Sequence, residues 1–145
     1  MKHSSIAALC LLGSLLVGCA TGYQDQSNPL VGFTGGYWEK KGPGKLIKVG
    51  FDGNSIVEHD KVATYLLYRC AEVAQREGSS YFAMYANLPA AIMDKRTSGR
   101  TVATSGGKPS TYAYILLMDK EGQGVLSVKD TIERLKPEVK PEVKS

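Results

Sequence analysis

Residues 58–77 constrain the fold more than any other stretch of the chain. Val62, Leu66, Cys70 and Val73 recur at helical spacing, and Ala63, Leu67, Ala71 and Ala74 widen that stripe. Lys61, Thr64, Arg69, Glu72, Gln75 and Arg76 fill the opposite side, which predicts one amphipathic helix with a single face to bury. Glu58 and Asp60 suit the positive end of the helix dipole, and Gly78 supplies a C-terminal stop. A lone helix cannot hide such a stripe, so a second layer must lie against it.

The flanking segments supply that layer. Tyr37-Trp38-Glu39-Lys40-Lys41 and Lys45-Leu46-Ile47-Lys48-Val49-Gly50-Phe51 surround a Gly-Pro-Gly break and read as a β-hairpin. Alternation puts Ile47, Val49 and Phe51 on the buried face of the second strand. Residues 80–86 predict a third strand, interrupted at Asn87-Leu88-Pro89, with residues 90–93 continuing it after a bulge. Residues 94–110 read as a long Gly/Ser/Thr-rich loop, residues 111–118 as a strand, and residues 127–135 as a short helix. The expected fold class is therefore α+β: a small, mostly antiparallel sheet with one main helix packed across it, in the order β-β-α-β-β followed by a short C-terminal helix. One domain over residues 35–135 accommodates all of this. Residues 136–145 repeat Lys-Pro-Glu-Val, and their prolines predict an extended, solvated tail.

The start of the chain concerns location. Lys2 and His3 precede an apolar run from Ile6 to Val17, too short to span a bilayer but suited to a secretory leader. Leu16-Val17-Gly18-Cys19 looks like the lipobox of bacterial lipoprotein precursors. That resemblance implies removal of residues 1–18, acylation of the Cys19 thiol (palmitate among the chains), and anchorage to a membrane through lipid alone. With Ala20 rather than Asp next to the Cys, it implies the outer membrane, periplasmic face. Residues 19–34 are polar and aperiodic and read as a flexible tether. Loss of Lys2 takes the formal charge from +4 to +3, without the concentrated basic stripe of a nucleic-acid binder. Only Cys70 then remains inside the domain, so no internal disulfide is available.

The domain also resembles a family of small bacterial envelope lipoproteins to which no activity is assigned. The likeness rests on Gly35-Gly36-Tyr37 with Glu39, on Val49-Gly50-Phe51-Asp52-Gly53-Asn54, on Leu67-Tyr68-Arg69-Cys70-Ala71-Glu72, and on Gly78-Ser79-Ser80-Tyr81-Phe82. A looser match covers residues 112–118 and the helix after Ser127. The chain departs from that pattern at Ser55-Ile56, where family members carry Gly and then an aromatic. The resemblance implies a lipid-anchored envelope protein and supplies no catalytic residues.

Candidate chemistry is sparse. Asp52, Asn54, Glu58, His59 and Asp60 form an oxygen-rich cluster, but EF-hand spacing needs Gly at its sixth position and Glu at its twelfth, where Val57 and Ala63 stand. The turn-and-cap reading is preferred there, and no metal or cofactor is assigned. His59 would have to serve any nucleophile, with Ser55, Ser79 or Cys70 as partner, and no strained nucleophile motif is present. Cys70 lies on the apolar stripe, as a small hydrophobe would. Arg69 and Glu72, one helical turn apart, are placed to pair, and their position in the motif of that resemblance implies a further bond to the Gly35-Gly36 turn or the sheet edge. Tyr37, Trp38, Tyr81 and Tyr85 offer aromatic surface, and Lys95, Arg96, Arg100 and Lys108 a basic loop. The favoured function is non-catalytic: a structural or interaction role in the cell envelope, toward an envelope protein or the cell wall, with no nucleic acid involved. The alternative is a periplasmic ligand- or metal-binding protein or enzyme using the Asp52–Asp60 region.

Overall fold

A computed structural model describes residues 19–142, so the predicted leader and the last three residues of the tail lie outside the described residues. The chain runs β1 (Gly36–Lys41), β2 (Ile47–Asp52), α1 (His59–Arg76), β3 (Tyr81–Tyr85), α2 (Leu88–Ile92), β4 (Ala103–Ser105), β5 (Lys108–Met118), β6 (Val125–Ser127) and α3 (Val128–Val139). The fold is α+β. Every strand pairing is antiparallel, in the order β1-β2-β5-β3-β6, with β4 added to the start of β5.

The helix stripe sets the core. Val62, Leu66, Cys70, Ala71, Val73 and Ala74 are sealed from solvent against Val49, Phe51, Phe82, Met84, Ala113 and Ile115 of the sheet. Each large side chain so buried contributes about 1.5–3 kcal/mol. The buried face of β2 is the expected one, although Ile47 beside the hairpin turn is only half-buried. Helix α1 ends as Gly78 predicts: at φ +78° it lets Ser79 N–H reach the Ala74 carbonyl at 2.9 Å. Helix α3 packs beside α1 and buries Val128, Thr131, Leu135 and Val139.

Four expectations need correction. Residues 90–93 do not resume a strand. Asn87 accepts the Ala90 N–H at 2.8 Å, Pro89 sits in the first turn, and the segment coils into α2. The supposed loop 94–110 contains β4 and the first three residues of β5, joined through Gly106-Gly107. The tail is not free from residue 136, because Val139 is buried and Lys140 N–H bonds the Lys136 carbonyl at 2.8 Å. Pro137 is tolerated because the carbonyl it leaves unbonded, on Glu133, lies on the exposed side of the helix.

The fourth correction matters most for function. Residues 21–34 do not form a loose tether. Gln24 and Gln26 pair with Tyr37 on the outer edge of β1, at 2.8 and 3.0 Å. Thr21 is buried, and the Tyr23 ring sits among Tyr37, Tyr65 and Tyr68 with centroids 4.9, 5.6 and 5.3 Å away. Gly35-Gly36 explains the close approach. A Cβ on Gly36 would stand 2.4 Å from the Gln24 carbonyl oxygen, and one on Gly35 would stand 2.1 Å from that of Asp52.

Candidate functional site

Arg69 is the hub of a polar clasp that joins four parts of the chain. Its Nε donates to Glu39 Oε1 at 2.8 Å, its Nη2 donates to the same oxygen, and its Nη1 donates to Glu72 Oε2 at 3.0 Å. The guanidinium lies 3.9 Å from the centre of the Tyr37 ring. Glu39 belongs to edge strand β1, so Arg69 bonds the sheet edge as well as Glu72, one helical turn away.

Three further groups complete the clasp. The Tyr23 hydroxyl donates to Glu72 Oε2, Lys140 Nζ donates to Glu72 Oε1 at 2.7 Å, and Arg76 Nη2 donates to Glu39 Oε2 at 2.8 Å. Edge strand, helix α1, N-terminal segment and the end of α3 are thereby tied at one place. Burial opposes ionisation of Glu72, but bonds from Lys140, Tyr23 and Arg69 outweigh it and hold its carboxyl below the ordinary value. Glu39 is likewise lowered, burial being overcome by the bonds and charges of Arg76 and Arg69. Burial first, then the Glu72 carboxylate, drives the Tyr23 hydroxyl far up, so it stays a donor. Beside the clasp lies an open cleft of about 480 Å³, lined by Asp25, Gln26, Tyr37, Trp38, Glu39, Arg69 and Arg76 among others. Both arginines there are already paired, Arg69 with Glu39 and Glu72 and Arg76 with Glu39 and Glu77.

The sheet face turned away from α1 carries a second constellation. Trp38 lies flat on Gly50, where a Cβ would stand 2.1 Å from the indole, and its Nε1 donates to Asp52 at 2.9 Å. Lys48 Nζ stands 4.1 Å from the Tyr112 ring centre and 5.5 Å from that of Tyr114, and Lys40 stands 5.2 Å from that of Trp38. Arg100 approaches Tyr112 at 5.6 Å, and its Nε is buried without a hydrogen-bond partner. Beyond Tyr114 an apolar groove of about 290 Å³ opens, lined by Pro43, Leu46, Tyr85, Leu88, Ala91, Ile92 and Leu116. Neither Tyr112 nor Tyr114 was singled out by sequence reasoning. Their placement opposite Gly50 and Lys48 follows from a strand pairing that no local pattern encodes.

The other predicted residues are dispersed. Asp52 accepts from Trp38 and Gln26. Asn54 caps its own turn by accepting from Ile56 and Val57, and also accepts the Thr21 N–H at 3.2 Å. His59, exposed, bonds Thr104 at 2.6 Å rather than Ser55, Ser79 or Cys70. Among the described residues no three His, Cys, Asp or Glu side chains converge as a metal site. Cys70 is fully buried, and that burial pushes its thiol well above the ordinary value. Tyr81 is half-buried, Tyr85 donates to Asp94 at 2.7 Å, and Arg96 pairs with Asp94 at 2.8 Å. Lys95 and Lys108 are exposed.

No family model, curated protein or solved structure matches the chain. Among the described residues no helix is long and apolar enough to cross a membrane.

Proposed function

We propose that the chain is a lipid-anchored protein of the outer membrane, facing the periplasm, whose work is to hold an envelope partner rather than to catalyse a reaction. The anchoring reading is carried by one observation. Cys19 is exposed, its carbonyl accepts the Asn54 side-chain N–H at 2.7 Å, and the buried part of the domain starts at Thr21, two residues later. A cleaved and acylated Cys19 therefore meets a finished domain without disturbing it.

The partner face is the outer side of the sheet. It combines the apolar groove beside α2 with a basic hairpin bearing Lys40, Lys45 and Lys48. An acidic envelope protein presenting one or two apolar side chains matches both features. The clasp serves a different end, since each of its carboxylates is already saturated by cations of the same chain. That engagement supports a structural role for Glu39, Arg69 and Glu72.

Three measurements test this. The N-terminal peptide of protein extracted from membranes is expected to begin at Cys19 and to carry acyl chains, and Cys19→Ser is expected to leave the membrane fraction. A photo-reactive residue at position 92 is expected to capture a partner that Lys48→Glu loses. Capture undiminished by Lys48→Glu, or an unacylated peptide, defeats the corresponding half of the proposal.

A further inference from the structure

Six large hydrophobic side chains stand exposed among the described residues, and four of them lie at one end: Leu30 (80%), Val31 (39%), Phe33 (85%) and Ile56 (50%). That end is the one that holds Cys19. Thr21 N–H bonds the Asn54 side chain, and Thr21 Oγ1 donates to the Thr34 carbonyl at 2.6 Å. Thr34 is next to Phe33 in sequence, and Asn54 is two residues before Ile56. The two residue steps from Cys19 to Thr21 reach at most about 7 Å.

These side chains are held outward by a braced loop. Asn28 Oδ1 accepts the Leu30 N–H at 2.9 Å, and the Asn28 carbonyl accepts the Gly32 N–H at 2.8 Å. Gln24 Nε2 donates to the carbonyls of Val31 and Gly35 and to Thr34 Oγ1, at 2.7, 3.0 and 2.9 Å. Exposed hydrophobics on a rigid turn are costly in water and call for a cover.

We infer that Leu30, Val31, Phe33 and Ile56 form a second, non-covalent membrane contact, dipping into the acyl boundary of the bilayer that carries the Cys19 lipid. This rests on the anchored reading above. Charge points to a neutral lipid surface as the occupant. Residues 19–34 carry one charged side chain, Asp25, and the neighbours of Ile56 include acidic Glu58 and Asp60, so attraction to anionic headgroups has no cationic partner in the loop. Apolar side chains seated at an interface reach roughly 5–10 Å into the headgroup and acyl boundary. With so little slack behind Cys19, the lipid presents this face to the membrane.

The test supplies the anchor chemically. The chain from Cys19 onward, which contains the whole described fold, is coupled through Cys19 to a maleimide phospholipid in phosphatidylcholine vesicles whose acyl chains are brominated. Cys70 is fully buried and does not compete. A Phe33→Trp variant is expected to emit at shorter wavelength and to be quenched about twofold more than the parent, whose single tryptophan is Trp38, because position 33 sits at the depth of the bromines. Adding Leu30→Ser, Val31→Ser and Ile56→Ser is expected to abolish that excess. Quenching equal to the parent overturns the inference, and so does quenching that survives the serine substitutions, since tethering alone would then explain it. In cells the mass of the N-terminal peptide separates the two ideas. An unacylated peptide removes the anchored reading and this one with it, whereas an acylated peptide with an unquenched variant removes this one alone.

Discussion

Replacing Arg69 by Met removes the hub of the clasp while keeping the length of side chain that covers Tyr37. The guanidinium makes three charge-assisted bonds, to Glu39 and Glu72, with its side chain 16% exposed. Bonds to charged groups contribute about 1.5–3 kcal/mol each when buried, but partial exposure and screening reduce that range. Neither carboxylate is orphaned: Glu39 keeps Arg76 and Glu72 keeps Lys140 and Tyr23, so the penalty of about 3–5 kcal/mol for stranding a buried charge does not apply. The ring contact adds about 0.5–1 kcal/mol. The expected net loss is about 2–3 kcal/mol, or roughly 6–12 °C in melting temperature for a domain of this size. Arg76→Ala serves as the comparison, because its side chain is 53% exposed and its loss is expected to cost under about 0.5 kcal/mol. Denaturant unfolding with both variants, combined with amide exchange at Gln26 and Tyr37, checks the account. Loss of protection at those two amides ahead of global unfolding is expected only for Arg69→Met. If Arg69→Met unfolds within about 0.5 kcal/mol of the parent, or matches Arg76→Ala, the clasp does not hold the N-terminal segment.

Two further outcomes follow from the same geometry. Glu72 is held ionised below its ordinary value of 4.5, so its contribution to stability is present in full above that pH and is lost as pH falls through the lower folded value. A Glu72→Gln variant is therefore expected to melt below the parent at neutral pH and to converge on it in acid; a gap that stays constant down to pH 3 (about the lower end of the carboxylate range) contradicts this. Gly50→Ala places a methyl 2.1 Å from the Trp38 indole and is expected to lift the ring off the sheet and break its bond to Asp52. The check is a red-shifted tryptophan emission with far-ultraviolet circular dichroism unchanged, and an unshifted spectrum goes against the packing described.

Legibility in the sequence tracked the kind of force at work. Helix α1 and strands β2 and β5 were readable because their burial is apolar and periodic, and their boundaries fell within a few residues of expectation. Helix α2 was readable in principle: Asn87 as cap and Pro89 in the first turn are start signals, but the apolar run before them suggested a strand that went on. Three-residue strands β4 and β6 carry no period long enough to detect. The N-terminal segment escaped because backbone bonds, a buried Thr21 and a single aromatic plug hold it in place rather than a stripe. Within the clasp, Arg69 and Glu72 were visible as a helical pair. Tyr23, Arg76 and Lys140 were not, because their shared carboxylates lie between 37 and 68 residues away along the chain.

That hidden segment fixes an orientation the sequence alone could not. Gly36 pairs with Asp52 at one end of the first hairpin, beside Thr21 and the exposed loop, while Lys41 pairs with Ile47 at the other, beside the apolar groove. Five residue steps of strand separate the ends, about 17 Å at ordinary rise. An anchor at Cys19 would therefore place the lipid-facing loop and the partner-facing groove at opposite ends of the same two strands. Loosening the clasp would restore slack between Cys19 and the sheet, letting the domain tumble on its lipid. Arg69→Met should then weaken partner capture from position 92 without altering any residue of the groove. Capture retained in full by that variant would mean that orientation plays no part.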